Sequence, residues 1–275
     1  MKRIAIQGIA GSFHEDAARQ YFKDEEIEIV ECRSFTRVCE MVDNDEVDMA
    51  VMAIENSIAG SLLQNYSLIR DYHLHVIGET YVHIKMNLMM LEGASKSEIK
   101  TIYSHPVAIR QCIEYIEKHL PHANIIENQD TAMSGKIIQE NKLSNAAAIG
   151  NLRTAEIYQL NVLDKGIETN KRNYTRFWVL DKHANGNAKT NKASLAIEVG
   201  HYYGSLAQVL SIFAENKLNL NMIQSIPIIG KPSEYIIHLD VEYDVVENYE
   251  KAIHQVLKCV SSLSILGEYQ KGKIK

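Results

Sequence analysis

VDMAVMAIEN, residues 47–56, is a near-continuous apolar run that ends in Glu55 and Asn56. A strand buried on both faces reads this way, because helices cover both sides of a parallel sheet. Its flanks alternate in the same manner. Before it come a strand at 3–8 (RIAIQG), a helix from 13 to about 23, a strand at 26–32 and a helix at 35–43. After it come a helix at 61–71 and the apolar stretch 74–91, either two strands or one bent strand. A strand at 99–104, a helix at 106–120, a strand at 123–127, a helix at 131–141, a short strand at 145–151 and a helix at 152–159 follow. The series closes on a strand at 174–181, within RNYTRFWVL (172–180). Alternation of this kind predicts an α/β fold with mostly parallel sheets.

The cadence changes after residue 181. DKHANGNAKTNK (181–192) has no apolar periodicity and reads as a linker. Beyond it lie a strand at 193–200, an amphipathic helix at 204–218, strands at 221–230 and 233–243 joined by a Gly-Lys-Pro turn, a helix at 246–260 and a strand at 263–269. That order is βαββαβ, the ferredoxin-like arrangement.

With 275 residues the chain accommodates two domains. It is 46% hydrophobic and 23% charged with a net charge of −6, which disfavours nucleic acid as a partner. MKRIAIQG turns polar too early for a signal peptide, and no apolar run approaches bilayer length, so a cytoplasmic protein without a membrane partner is expected. Cys32, Cys39, Cys112 and Cys259 show no metal-type spacing and are expected to be reduced, with Cys112 a small buried hydrophobe.

Polar clusters sit where strands pass into helices, the place where open α/β sheets bind ligands. In GIAGSFHEDAA (8–18), Ser12 and Glu15 have capping-box spacing; the stretch is either a plain helix cap or an anion site. IENSIAGS (54–61) crowds Glu55, Asn56, Ser57 and Ser61 behind an apolar strand, which packing alone does not require. In YSHPVAIRQC (103–112), Pro106 suits a first helical position with Ser104 or His105 as cap, and His105 is an anion donor or purely structural. In DTAMSGKII (130–138), Asp130 or Thr131 caps a helix. Arg172 and Arg176, with several helix N-termini, suit an anionic substrate if they share a cleft; otherwise they are surface ion-pair partners. HExxH, P-loop, EF-hand and GxSxG patterns are absent, so the expected site is free of metal and cofactor and takes a small anion.

GSFHEDAA, IENSIAGS, SHPVAIRQC, DTAMSG and above all NYTRF, in this order, resemble the signatures of the prephenate dehydratase family. GSLAQVL followed by NMIQSIP resembles its C-terminal ACT regulatory domain, so the resemblance spans nearly the whole chain. It implies a two-lobed, periplasmic-binding-protein-like catalytic domain at 1–181, a linker at 182–192 and an ACT domain at 193–272. Lobe one would comprise about 1–78 plus 175–181, and lobe two about 79–172. It implies loss of CO₂ and the ring hydroxyl from prephenate to give phenylpyruvate, in phenylalanine biosynthesis, without a cofactor. Thr175 and Arg176 would be catalytic. Ser12, Asn56, Ser57, Ser61, His105, Thr131 and Phe177 would bind substrate. Phenylalanine would be held at Gly204, Ser205, Leu206, Ala207, Asn221, Gln224 and Ser225, between paired ACT domains of a homodimer or homotetramer.

Departures from the family pattern are Val107 where glutamine is usual, His14 where serine is frequent, GSLA (204–207) for GALA and QSIP (224–227) for ESRP. The last removes an acid and an arginine from the effector motif. A neighbouring alternative is arogenate dehydratase, acting on the amino analogue. A non-catalytic two-lobed anion-binding protein is another. No mutase domain precedes Met1, so a monofunctional enzyme is expected.

Overall fold

The computed structural model describes residues 1–184, 189–228, 230–231 and 233–274. The chain begins with β1 (Lys2–Gln7), α1 (Phe13–Tyr21), β2 (Ile27–Cys32), α2 (Phe35–Asp43), β3 (Met49–Asn56), β4 (Gly60–Ser61), α3 (Leu63–Asp71) and β5 (His75–His83). It continues through β6 (Asn87–Leu91), β7 (Thr101–Ser104), α4 (Pro106–Gln111), α5 (Ile113–His119), β8 (Asn124–Glu127), α6 (Thr131–Glu140), β9 (Ala146–Gly150), α7 (Leu152–Ile157), β10 (Leu160–Lys165) and β11 (Tyr174–Asp181). The last elements are β12 (Lys192–Val199), α8 (Ser205–Glu215), β13 (Asn219–Pro227), β14 (Tyr235–Glu242), α9 (Val246–Val256) and β15 (Val260–Tyr269).

Three sheets result. The first has the order β2-β1-β3-β11-β5, with β4 turned back on β3. β1 pairs in parallel with β2 and with β3. The central position of β3 explains its apolar run, since residues 50–54 are all buried. The second sheet has the order β10-β6-β9-β7-β8. It is mixed rather than mostly parallel, because β6 runs antiparallel to both β10 and β9. β10 was not expected from the sequence: LNVLDK has no clean alternation, and its pairing shifts register between Val162 and Asp164. The predicted helix at 106–120 breaks at Cys112 (φ −110°), which closes α4 and opens α5. Cys112 is fully buried, and burial pushes its thiol up to about 12.

By compactness the chain divides into two units. The first holds Met1–Leu62, Thr80–Phe177 and the final two residues; the second holds Leu63–Glu79 and Trp178–Lys273. The sequence alone suggests a boundary in the 182–192 linker, of which residues 185–188 lie outside the described residues. Pro232 of the predicted Gly-Lys-Pro turn, and Ile229 before it, also lie outside them.

The second unit contains the βαββαβ segment as an antiparallel sheet of order β13-β14-β12-β15. Ala193, Leu195 and Ile197 alternate onto one face and form a core with Val209 and Phe213 of α8 and Ala252 and Val256 of α9. Lys192 and Ser194, at intervening positions of β12, and Asp240 of β14 are polar yet buried. Lys192 Nζ lies 3.1 and 3.0 Å from the two carboxylate oxygens of Glu79 and 3.6 Å from Asp240 Oδ2. Ser194 Oγ donates to Asp240 Oδ1 at 2.6 Å. Gly267 is required at its position, because a Cβ there would fall 1.9 Å from the Val76 carbonyl oxygen.

His238 packs against Tyr66 (centroids 5.2 Å) and is 1% exposed, and neither ring nitrogen is hydrogen-bonded among the described residues. Burial, with the Arg70 charge, lowers its pKa to about 4. Between about pH 6.5 and 4 the unfolded chain therefore binds more protons at this site than the folded one, so its contribution to stability falls as pH falls. We expect melting temperature to drop across that window and His238→Phe to flatten the drop, measured by calorimetry from pH 7 to 4. An unchanged slope in the variant would assign acid sensitivity to other groups.

Candidate active site

A cavity of about 310 Å³ lies within the first unit, lined by strand residues of the first sheet and by loop and helix residues that follow strands of both sheets. Seven residues expected from the sequence meet there: Ser12, Asn56, Ser61, His105, Thr131, Thr175 and Phe177. Phe35, Ile84, Met86, Val107 and Ala108 supply apolar wall.

β11 presents alternate residues to this cavity. Thr175 and Phe177 line it, while Tyr174 stacks on His83 at 4.7 Å. Arg176, between the two, is 4% exposed and is not among the lining residues. Strand alternation sends it to the opposite face of the sheet, which corrects the expectation that it reaches the substrate. Arg176→Lys removes a buried planar fork. We therefore expect it to lower melting temperature more than it changes KM; a selective KM increase at unchanged melting temperature would return Arg176 to the site. Ser57 is the second correction. Its hydroxyl donates to Arg172 O (3.2 Å) and accepts from Tyr174 N–H (2.9 Å), so it stitches the loop after β3 to the start of β11 and does not line the cavity.

Asn56 organises the catalytic threonine expected from the sequence. Its Oδ1 accepts the backbone N–H groups of Ile58 (3.0 Å) and Ala59 (2.8 Å), which fixes the amide orientation. Nδ2 then donates to Asn173 Oδ1 (2.7 Å) and to Thr175 Oγ1 (2.9 Å). Asn173 is fully buried and donates to Gln111 Oε1 (2.9 Å). Thr175 Oγ1 is thus an acceptor toward Asn56, and its own proton is free to point elsewhere. Sequence reasoning missed Gln111 as the far end of this chain. It stands in the quoted YSHPVAIRQC stretch, but spacing alone does not show which side of α4 faces β11.

Two helices long enough to carry an N-terminal dipole open onto the cavity. Ser12 caps α1, accepting from Glu15 N–H at 3.4 Å, while Glu15 Oε2 accepts from Gly11 N–H at 2.7 Å, one residue before the cap; the Ser12 N–H goes instead to Ile9 O, so only half of the expected capping box forms. Asp130 caps α6, accepting from Ala132 N–H at 2.6 Å, and Thr131 follows. Burial raises the Asp130 pKa. His105 has a structural part, with Nδ1 capping α4 by accepting from Val107 N–H (3.2 Å), and its ring lines the cavity. Its pKa is lowered by burial and then by the Arg110 charge, so the ring is neutral and carries its proton on Nε2. Among the described residues no lysine or arginine lines the cavity. An anion would be met by helix N-termini and neutral donors.

Gly8 is held at φ +103°, and a Cβ there would lie 2.3 Å from Asp130 Oδ2. Gly8→Ala therefore strains the backbone and displaces the α6 cap together. We expect kcat/KM to fall by roughly 10²-fold, the scale of an ångström-sized misplacement of catalytic geometry. Parent-like kinetics would show that Asp130 moves without consequence.

The expected effector residues disperse more. A cavity of about 850 Å³ in the second unit includes Ser205 and Ser225 in its wall, with Glu198, Gly200, Tyr202 and Lys231. Gly204, Leu206, Ala207, Asn221 and Gln224 are not among its lining residues. Gly204 (φ +83°) is the N-cap of α8, Leu206 packs against the β-sheet core, and Asn221 Nδ2 donates to Glu242.

The family model described as prephenate dehydratase matches residues 4–185. A prephenate dehydratase of Methanocaldococcus jannaschii is 34% identical over 265 residues, covering 94% of each chain. Arogenate dehydratase 2 of Petunia hybrida is 31% identical over 286 residues, covering 97% of this chain and 71% of its own. Among solved structures, the prephenate dehydratase from Arthrobacter aurescens in complex with L-Phe superposes with a TM-score of 0.87 at 26% identity, covering 98% of this chain and 90% of that one. The threonine held by Asn56 in this cavity and the sequence likeness agree: the chain is an enzyme of the lyase class and belongs to the prephenate dehydratase family.

Proposed function

We propose that this cavity converts prephenate to phenylpyruvate, with Thr175 as the proton donor. The observation that carries the reading is the Asn56 Nδ2 to Thr175 Oγ1 bond of 2.9 Å. Aromatisation of the ring supplies the driving force. The C–CO₂⁻ bond breaks, its electron pair enters the ring, and the C–OH bond breaks at the opposite carbon. The departing hydroxide takes the threonine proton and leaves as water. The alkoxide left on Thr175 is stabilised by the Asn56 N–H already aimed at it, at no reorganisation cost, and recovers a proton from solvent. The N-termini of α1 and α6 meet the substrate carboxylates, and the apolar wall excludes water around the ring.

The same reading takes the βαββαβ unit as an ACT domain that binds phenylalanine between paired copies; that the Arthrobacter relative was solved in complex with L-Phe supports phenylalanine as the effector. Gln224 stands where the ESRP motif of the family resemblance has glutamate and brings no charge, and a charge-assisted bond is roughly twice as strong as a neutral one. Gly204→Val forces a side chain onto a left-handed backbone at the α8 cap. Calorimetry is expected to show phenylalanine binding by the parent and its loss in this variant; equal binding by both would move the effector site. The catalytic reading is tested by steady-state rates on prephenate and arogenate in parallel, before and after exhaustive EDTA treatment. The expected result is a prephenate rate that survives chelation. Turnover of arogenate alone would overturn the substrate assignment.

A further inference from the structure

Resting on the dehydratase reading, we propose that His14 is a substrate-binding residue of this site, donating its Nδ1–H to an oxygen of the bound dianion. The β1–β3 ladder ends with Ile6 opposite Val51, so the N–H of Ala53 lies one step beyond it. His14, in the first turn of α1, reaches back to this group, and its Nε2 accepts from Ala53 N–H at 3.3 Å. A nitrogen that accepts carries no proton, so the neutral ring holds its proton on Nδ1.

The ring is fixed in place. It meets Phe177 edge-on with centroids 5.1 Å apart and Phe35 at 5.6 Å. Phe177 is two residues along β11 from Thr175, a span of about 7 Å. His14, Phe35, Phe177 and Thr175 all line the one cavity. Among the described residues no protein group accepts from His14 Nδ1, and that nitrogen is not one of the sealed polar atoms of the interior. Burial lowers the ring's pKa to about 4, so at neutral pH it is a donor without charge. Capping the end of the ladder accounts for Nε2 and for the aromatic packing. It leaves the second nitrogen unused, in a cavity whose expected substrate presents only oxygen atoms as polar partners.

The two nitrogens can be separated by substitution. In His14→Gln the amide oxygen sits near the Nε2 position and keeps the bond to Ala53, but the Nδ1-side donor is gone. In His14→Asn the amide nitrogen sits near Nδ1 and keeps the donor, but the reach to Ala53 is lost. Loss of a hydrogen bond to a charged oxygen corresponds to about tenfold or more in binding. We expect His14→Gln to keep the parent's melting temperature and raise KM for prephenate about tenfold. His14→Asn should lower melting temperature and hold KM nearer the parent value. KM that follows melting temperature, with His14→Asn the weaker binder, would overturn the proposal. So would parent-like KM in His14→Gln. Histidine ¹⁵N shifts of the parent supply a readout independent of turnover: Nδ1–H is expected in the resting protein, moving on titration with prephenate. A resting Nε2–H tautomer, or no movement at saturation, would contradict the assignment. Failure of the parent to turn over prephenate would instead count against the dehydratase reading.

Discussion

Thr175→Ala is expected to lower kcat on prephenate by roughly 10²–10⁴, the range for loss of one general acid, with melting temperature close to the parent. The residue is 8% exposed and its side chain is small, so truncation opens little space. What disappears is the hydroxyl oxygen that accepts from Asn56 Nδ2 at the cavity wall. Thr175→Ser should retain part of the rate, because the hydroxyl persists with a freer rotor. Asn56→Ala should cost nearly as much as Thr175→Ala, and the double variant little more than either, because residues acting as a unit are non-additive. Asn56 also ties Asn173 and the Ile58–Ala59 turn, so its variant is expected to lose stability as well. Parent-like kcat in Thr175→Ala would remove the threonine from the chemistry.

The second large effect is on stability. Lys192→Ala is expected to destabilise the second unit by about 3–5 kcal/mol, the cost of breaking a buried ion pair by removing one partner. Lys192 and Glu79 are 1% and 0% exposed at the side chain, and Asp240 shares the same ammonium. Without the lysine, two carboxylates face each other in a dry interior. Glu79 keeps the bond from Gly272 N–H (3.0 Å), a neutral donor that does not offset the charge. Lys192→Met combined with Glu79→Gln should recover part of the loss, since both charges then leave together. Chemical denaturation of the three variants measures this. A loss under 1 kcal/mol for Lys192→Ala would mean that water reaches the pair.

Lys192 also shows where sequence reading stops. It closes a polar stretch that reads as linker, and nothing in its neighbours marks it as the buried first residue of β12. Its partner is 113 positions away, on β5. By contrast, the run at 47–56 reports its own environment, since continuous apolarity has few causes other than two covered faces. The polar clusters behind strands were legible for the same local reason, and Ser12, Asn56, Ser61, His105, Thr131, Thr175 and Phe177 do converge on one cavity. Arg176 and Ser57 lie within the same motifs yet face elsewhere, because a strand sends neighbours to opposite sides and motif membership carries no facing. Gln111 and His14 act through single atoms whose partners, Asn173 and Ala53, are 62 and 39 positions away. Such pairings appear only once the sheets are assembled.

The most direct test adds prephenate to the purified protein and follows phenylpyruvate absorbance together with released CO₂, with binding heat measured on the same sample. The account predicts phenylpyruvate and CO₂ formed one for one, over many turnovers, with no added metal or cofactor. Saturable binding of prephenate without phenylpyruvate would contradict it, and would make the cavity an anion-binding site in which Thr175 is only a ligand contact.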